Sequence, residues 1–166
     1  MGEGFGDWLA GTYFFAFSNG FQDEVIADWD ATYYSTDTPP ALRRLDSTKH
    51  YPQDIVNEVH ADGEIWSASL WTIFSSLGKN STNRDIMMKL ILESHFYLTS
   101  NANFIDGANA VVLADDNIFG GIHTSVISTA FINRGIFTAV PVELSDFFAQ
   151  PSDTFIPEFP PEAIKE

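Results

Sequence analysis

The chain has 166 residues, 45% of them hydrophobic and 14% aromatic, enough for one folded domain with an apolar core. It contains no cysteine, which excludes disulfides, thiolate metal sites and a cysteine nucleophile. Its 23 acidic and 8 basic residues give a net charge of -15, which repels phosphate backbones, so we expect no nucleic-acid partner. We also expect no membrane span, because no apolar run reaches about 18–20 residues.

The first predicted element is a helix over residues 2–17. The segment is apolar almost all round, and its only charged residues are Glu3 and Asp7, four residues apart on one helical face. Two interpretations stay open. Both carboxylates face water at the helix start, where the helix dipole favours them, or they serve as a metal ligand and a carboxylate that orients another ligand. Since the chain opens directly into this helix, we expect it to be a fragment or a split subunit. No secretory signal is visible in this chain, so we expect an exported protein to carry one upstream.

A long loop is predicted over residues 18–59, because Asp, Ser, Thr and the pair Pro39-Pro40 occur there without clear periodicity. Long loops in compact domains are usually functional or disordered. Arg43 lies in this acidic loop, where it either forms a structural salt bridge or binds a carbonyl or carboxylate group bidentately. His60 follows the loop at the start of the next helix. It is either a surface histidine or a hydrogen-bond donor to a developing oxyanion.

Four helices are predicted over residues 60–136. The first has apolar residues at helical spacing from Ile65 to Leu77 and ends at Gly78, and the others cover about 83–97, 103–118 and 121–134. Asn103 is a suitable N-cap for the third of these four. Strand-like alternation occurs only near residues 139–142, so the predicted fold class is all-α. Residues 137–166 form a Pro- and Phe-rich acidic tail, which we expect to be poorly ordered or to wrap another surface.

A complete zinc peptidase site is missing from the sequence. Such a site needs two histidines four residues apart on a helix, with a glutamate beside the first as general base, the H-E-x-x-H signature. The four histidines, His50, His60, His95 and His123, include no such pair. There is no G-x-S-x-G motif for a serine nucleophile either. We therefore expect no stable zinc binding and no peptidase activity from the chain alone.

Several motifs resemble the fungalysin and thermolysin families of zinc metallopeptidases. Residues 2–7, G-E-G-F-G-D, resemble the fungalysin G-E-G-[FW]-[SG]-D segment, and residues 41–43, A-L-R, resemble a thermolysin segment. Residues 59–66, V-H-A-D-G-E-I-W, resemble the fungalysin pattern V-H-x-x-G-E-[IV]-W. Further segments between 103 and 135 follow the last fungalysin helices in order, so the resemblance covers roughly residues 1–136.

The resemblance implies the fold and roles of the C-terminal half of such an enzyme, an orthogonal helical bundle that works with an N-terminal lobe carrying H-E-x-x-H. It implies that Glu3 is a zinc ligand, that Asp7 supports a zinc-bound histidine, and that Arg43 contacts the substrate. It implies that His60 stabilises the tetrahedral intermediate. Thermolysins place an aspartate five residues before this histidine, where Ile55 stands here, so Asp54 is the nearest candidate partner.

The resemblance further implies a secreted protein that acts on peptide or protein substrates. A different class of function also stays open. The chain could be a non-catalytic helical binding module or one subunit of a split peptidase. In either case the surface that meets the N-terminal lobe should be apolar and exposed.

Overall fold

The computed structural model of the chain describes residues 1–138, which form six α-helices and one two-stranded antiparallel sheet. The all-α prediction is therefore confirmed. A short 3₁₀ helix over His95–Tyr97 follows α4. The elements in chain order are α1 (Gly2–Ser18), β1 (Val25–Ile26), α2 (Asp28–Ala31), β2 (Arg43–Arg44), α3 (Val59–Leu77), α4 (Ser81–Ser94), α5 (Phe104–Phe119) and α6 (Thr124–Asn133).

The helix ends follow local capping chemistry. Asn103 caps α5 as predicted, because its side chain accepts hydrogen bonds from the N–H groups of Ile105 and Asp106. The Asp106 side chain accepts from the Asn103 N–H in return, which completes a capping box. By contrast, α6 begins at Thr124 rather than at 121. Gly120 and Gly121 have φ values of 66° and 77°, a left-handed conformation that a helix cannot include.

The predicted loop over residues 18–59 contains more regular structure than its sequence indicates. Within it, Val25 pairs with Arg44 and Ile26 with Arg43, and α2 follows β1 directly. Strands of two residues are too short for a hydrophobic period to appear in the sequence. This small sheet places β1 beside α1 and β2 beside α3, and the Arg43 side chain reaches Asp7 of α1.

Helix α3 is the centre of the core and packs against α1, α4 and α6. Trp66 lies between two aromatic rings, with centroid distances of 6.0 Å to Phe104 and 5.6 Å to Phe131. Burial of each large apolar side chain contributes about 1.5–3 kcal/mol. The largest fully buried side chains are Trp8, Phe74, Phe131, Leu45, Ile65, Leu70, Ile73, Met87, Leu90, Ile91, Ile127 and Val111.

The two longest helices touch through their backbones near their N-terminal ends. A Cβ atom on Gly4 of α1 would lie 2.1 Å from the carbonyl oxygen of Gly63 in α3, far inside contact distance. Only glycine therefore fits at position 4 without moving a helix. This close crossing holds the first turn of α1 against the first turns of α3, where the candidate site residues lie.

No helix among residues 1–138 is long and apolar enough to cross a lipid bilayer. The predicted strand-like segment 139–142 lies outside the described residues. The same is true of the predicted tail 137–166 except for its first two residues, of which Phe137 packs against Phe131 with a ring-centroid distance of 5.5 Å.

Candidate functional site

The helix crossing brings Glu3 and His60 together. The His60 Nε2 atom lies 3.3 Å from a carboxylate oxygen of Glu3, although the two residues are far apart in the sequence. Both side chains are about half exposed, at 49% and 50%. The carboxylate and the imidazole thus face the same solvent-accessible space, where an additional group could contact both.

Glu58, which the sequence did not single out, fixes the other side of the His60 ring. Its carboxylate lies 2.8 Å from His60 Nδ1 and also accepts hydrogen bonds from the N–H groups of His60 and Ala61, which caps α3. A carboxylate at Nδ1 keeps a proton on that nitrogen and holds the ring orientation fixed, and the protonated ring can donate from both nitrogens. Glu58 is two residues before His60 at the N-cap, a position where a side-chain acceptor is expected. This N-cap position is the sequence feature from which the role of Glu58 could have been predicted.

The pKa of the Glu58 carboxyl should be far below that of an ordinary glutamate. Hydrogen bonds from the Ala61 N–H, then from the His60 ring and N–H, hold its pKa at about 2, against 4.5 for the unperturbed group. Because the folded-state pKa is lowered, the cap stabilises α3 above about pH 4.5 and is lost as the pH falls through about 2. NMR titration of the Glu58 side-chain carbon checks this, and a midpoint near 4.5 would contradict it. The His60→Ala variant should raise the pKa only in part, because the Ala61 N–H still donates.

Asp7 and Arg43 form a two-point ion pair across α1 and β2. Arg43 Nε and Nη2 donate to the two Asp7 carboxylate oxygens at 2.5 and 2.7 Å. The hydrogen bond to Asp7 raises the pKa of Arg43 above its usual value. Asp7 is 5% exposed, so the interpretation in which both helix-start carboxylates face water fails for this residue. The salt-bridge interpretation of Arg43 is observed, and its Nη1 group makes no hydrogen bond within residues 1–138.

Asp54 makes its hydrogen bond within the loop and not to the His60 ring. Its carboxylate accepts a hydrogen bond from the His50 N–H at 2.6 Å, whereas Glu58 occupies Nδ1 of His60. The pairing of Asp54 with His60 stays a prediction. Its neighbour in the sequence, Ile55, packs against the hydrophobic core.

An open cleft lies between Arg43 and His60. It is lined by Leu42, Arg43, Glu58, His60 and Ala61. The cleft therefore combines a guanidinium held by a buried carboxylate with an imidazole held by a second carboxylate. Both are hydrogen-bond donors suited to a carbonyl oxygen or to an oxygen that gains negative charge.

Glu3 is the candidate metal ligand. It lines a neighbouring cleft with Asp62 and Phe104 and reaches this one through its contact with His60. It is accessible, and its nearest polar partner is the His60 ring. Among residues 1–138, no group of three or more potential ligand residues is close enough to hold a metal ion. A zinc site built on Glu3 therefore needs ligands from outside the described part of the chain.

Comparison with known proteins gives the family. The family model of fungalysin metallopeptidases (M36) matches residues 1–139. The extracellular metalloproteinase MEP of Neosartorya fischeri is 26% identical over 160 residues, covering 82% of this chain and 25% of that relative. The extracellular metalloproteinase 10 of Coccidioides posadasii is 26% identical over 162 residues, covering 83% of this chain and 25% of that relative.

A shorter match has higher identity. The extracellular metalloproteinase mep of Aspergillus fumigatus is 32% identical over 97 residues, which cover 49% of this chain and 15% of that protein. No solved structure matches the chain significantly. The first two relatives show that the chain spans about a quarter of the length of the curated proteins it matches. Since the family model matches most of the chain, it belongs to the fungalysin metallopeptidase family, as its motifs predicted.

Proposed function

We propose that the chain is the C-terminal part of a zinc metalloendopeptidase and supplies one wall of the active site. The observation that carries the proposal is the 3.3 Å approach of His60 Nε2 to the Glu3 carboxylate, beside the Arg43–Asp7 ion pair. These residues come from three separate elements. Arg43 and His60 line one cleft, Asp7 binds Arg43, and Glu3 contacts His60. The arrangement supports hydrolysis of peptide bonds in peptide or protein substrates.

Glu3 would be the zinc ligand that residues 1–138 contribute. Its carboxylate is accessible and chemically suited to zinc, and the remaining ligands and the general base would come from a lobe with the H-E-x-x-H motif. When bound, zinc polarises the scissile carbonyl and activates the attacking water. Asp7 would orient a histidine of that lobe. Arg43 takes up both Asp7 oxygens, but a carboxylate can accept a further hydrogen bond.

The chain's own contribution to catalysis would be binding and charge stabilisation. His60, in the protonated form whose Nδ1–H donates to Glu58, would also donate its Nε2–H to the oxygen that becomes negative as the carbonyl is attacked. Arg43 would donate from its remaining Nη1 group to a substrate carbonyl, because Asp7 already fixes the guanidinium plane. Glu58 and Asp7 hold these two side chains in place, which reduces the reorganisation needed when the substrate arrives.

The exposed face of α1 is suited to contact the N-terminal lobe that carries H-E-x-x-H. On the same helix as Glu3, the aromatic side chains of Tyr13, Phe14 and Phe17 are 70%, 42% and 64% exposed. Gly6 and Ala10 are exposed along this face between Glu3 and the aromatic residues. A contiguous apolar surface of this kind usually marks an interface. The lobe would therefore cover α1 and bring its zinc ligands to Glu3. The names of the relatives support a secreted protein.

The isolated chain should bind far less than one zinc ion per molecule. One carboxylate cannot hold zinc against water, and among residues 1–138 no further ligands are near Glu3. Equilibrium dialysis followed by metal analysis measures the ratio. Stoichiometric zinc on the 166-residue chain would contradict the assignment of Glu3 to a shared site.

The proposed function is tested first by the size of the native protein. An immunoblot of cells and culture medium, with an antibody against this chain, should give a band well above 18.5 kDa. In that larger protein, Glu3→Gln should reduce both zinc content and peptidase activity. A band at 18.5 kDa would instead favour a subunit of a split peptidase or a binding module.

A further inference from the structure

Glu64 links the loop that carries Arg43 to the helix that carries His60. It lies in the second turn of α3, and its side chain is only 13% exposed. One carboxylate oxygen accepts a hydrogen bond from the backbone N–H of Arg44 at 2.9 Å. The other oxygen forms an ion pair with the ammonium group of Lys49. Both oxygens of this carboxylate thus have partners on the loop.

Lys49 closes the connection back onto α3. Its ammonium group also donates to the carbonyl oxygen of Ala61 at 3.0 Å, and Ala61 lines the cleft beside His60. Burial of a carboxylate without a cation would be costly, and Lys49 removes that cost. Glu64 and Lys49 therefore form a clamp between the loop and the first turn of α3.

Strand β2 depends on this clamp because it has little support of its own. It is two residues long and pairs with an equally short β1. Such a small ladder is marginal without further contacts. Asp7 of α1 holds the Arg43 side chain on one side, and Glu64 of α3 holds the adjacent Arg44 N–H on the other. The position of the Arg43 guanidinium in the cleft is thus set by two helices.

We propose that Glu64 is a positioning residue that fixes β2 against α3, so that the Arg43 guanidinium faces the same cleft as His60. Glu64 itself does not line the cleft, and it acts on the substrate only through Arg43. The catalytic consequence rests on the proposed function. The positioning of Arg43 can be measured in the isolated chain.

In the 166-residue chain, NMR exchange of the Arg44 amide and of the Arg43 Nε–H reports the clamp directly. Glu64→Ala should speed exchange of the Arg44 amide with water by about tenfold or more, since the lost bond has a charged acceptor. Glu64→Gln should have a smaller effect, because its side-chain oxygen can still accept from Arg44. Lys49→Met should resemble Glu64→Gln. The Arg43 Nε–H should exchange faster in Glu64→Ala, although Arg43 is not a direct partner.

Glu93→Gln is the matched control, since Glu93 is also a helix carboxylate but contacts Tyr97 at the far end of α4. It should leave both arginine signals unchanged. An unchanged Arg43 signal in Glu64→Ala would overturn the proposal. This outcome is independent of peptidase activity, so it is distinct from failure of the proposed function.

In the complete peptidase, the effect of Glu64 should pass through Arg43. Glu64→Ala should lower kcat/KM, and the loss should disappear when it is combined with Arg43→Ala, because the group being positioned is then absent. Full additivity of the two substitutions would overturn the positioning role. An inactive complete protein would refute the proposed function, and the exchange measurements would then decide the role of Glu64.

Discussion

Replacing His60 with alanine in the complete peptidase should lower kcat by about 10²–10³, the usual cost of removing one hydrogen-bond donor to an oxyanion. The zinc content should stay the same, since His60 approaches Glu3 with Nε2 but is not a proposed ligand. Because the donor acts mainly in the transition state, KM should change much less than kcat. Steady-state kinetics and metal analysis on the purified variant measure both quantities.

His50→Ala provides the matched control for this experiment. His50 is an exposed histidine of the same loop region, and its hydrogen bond to Asp54 uses the backbone N–H rather than the ring. Its substitution should leave kcat unchanged. Equal losses in the two variants, or an unchanged kcat in His60→Ala, would refute the role of His60 in oxyanion stabilisation.

The second large effect is expected from Gly4→Ala, which should destabilise the isolated chain by about 1–3 kcal/mol or more. The new methyl group would meet the Gly63 carbonyl oxygen at 2.1 Å and the Trp66 Cβ atom at 3.1 Å. Neither atom is the end of a flexible side chain, so α1 and α3 must move apart. Urea denaturation followed by tryptophan fluorescence measures the change in the free energy of unfolding.

Gly6→Ala should instead increase the free energy of unfolding. Gly6 lies in the same helix, but a Cβ atom there would have no neighbour within 4 Å. Replacement of an unhindered helical glycine by alanine stabilises a helix by about 0.5–1 kcal/mol. If Gly4→Ala proved as stable as Gly6→Ala, the backbone contact between α1 and α3 would be refuted.

The helical part of the fold could be predicted because its signals are local. The N-cap Asn103 and the apolar spacing from Ile65 to Leu77 depend only on neighbouring residues, and both helices formed where expected. The sheet could not be predicted, since two-residue strands carry no period. The late start of α6 followed from the left-handed conformations of Gly120 and Gly121.

The candidate site could be predicted residue by residue but not as an arrangement. The motifs identified Glu3, Asp7, Arg43 and His60 separately. The Asp7–Arg43 pair joins residues 36 positions apart, and nothing local indicates such a contact. Glu58 was missed because a glutamate at an N-cap is less typical than serine, threonine, asparagine or aspartate. Glu64 was missed because both its partners lie on a loop whose path the sequence does not indicate.

The contact between Gly4 and Gly63 also bears on how the family can diverge. At this point the backbone atoms of Gly4 and Gly63 set the distance between α1 and α3, and no side chain does. The dimensions of the backbone are the same in every protein. Core residues farther along the two helices can therefore change volume over evolutionary time without displacing Glu3 relative to His60. A sequence that differs at many core positions but keeps both glycines can therefore keep the two groups in register. Substitution of either glycine would make the distance between the helices depend on a side chain.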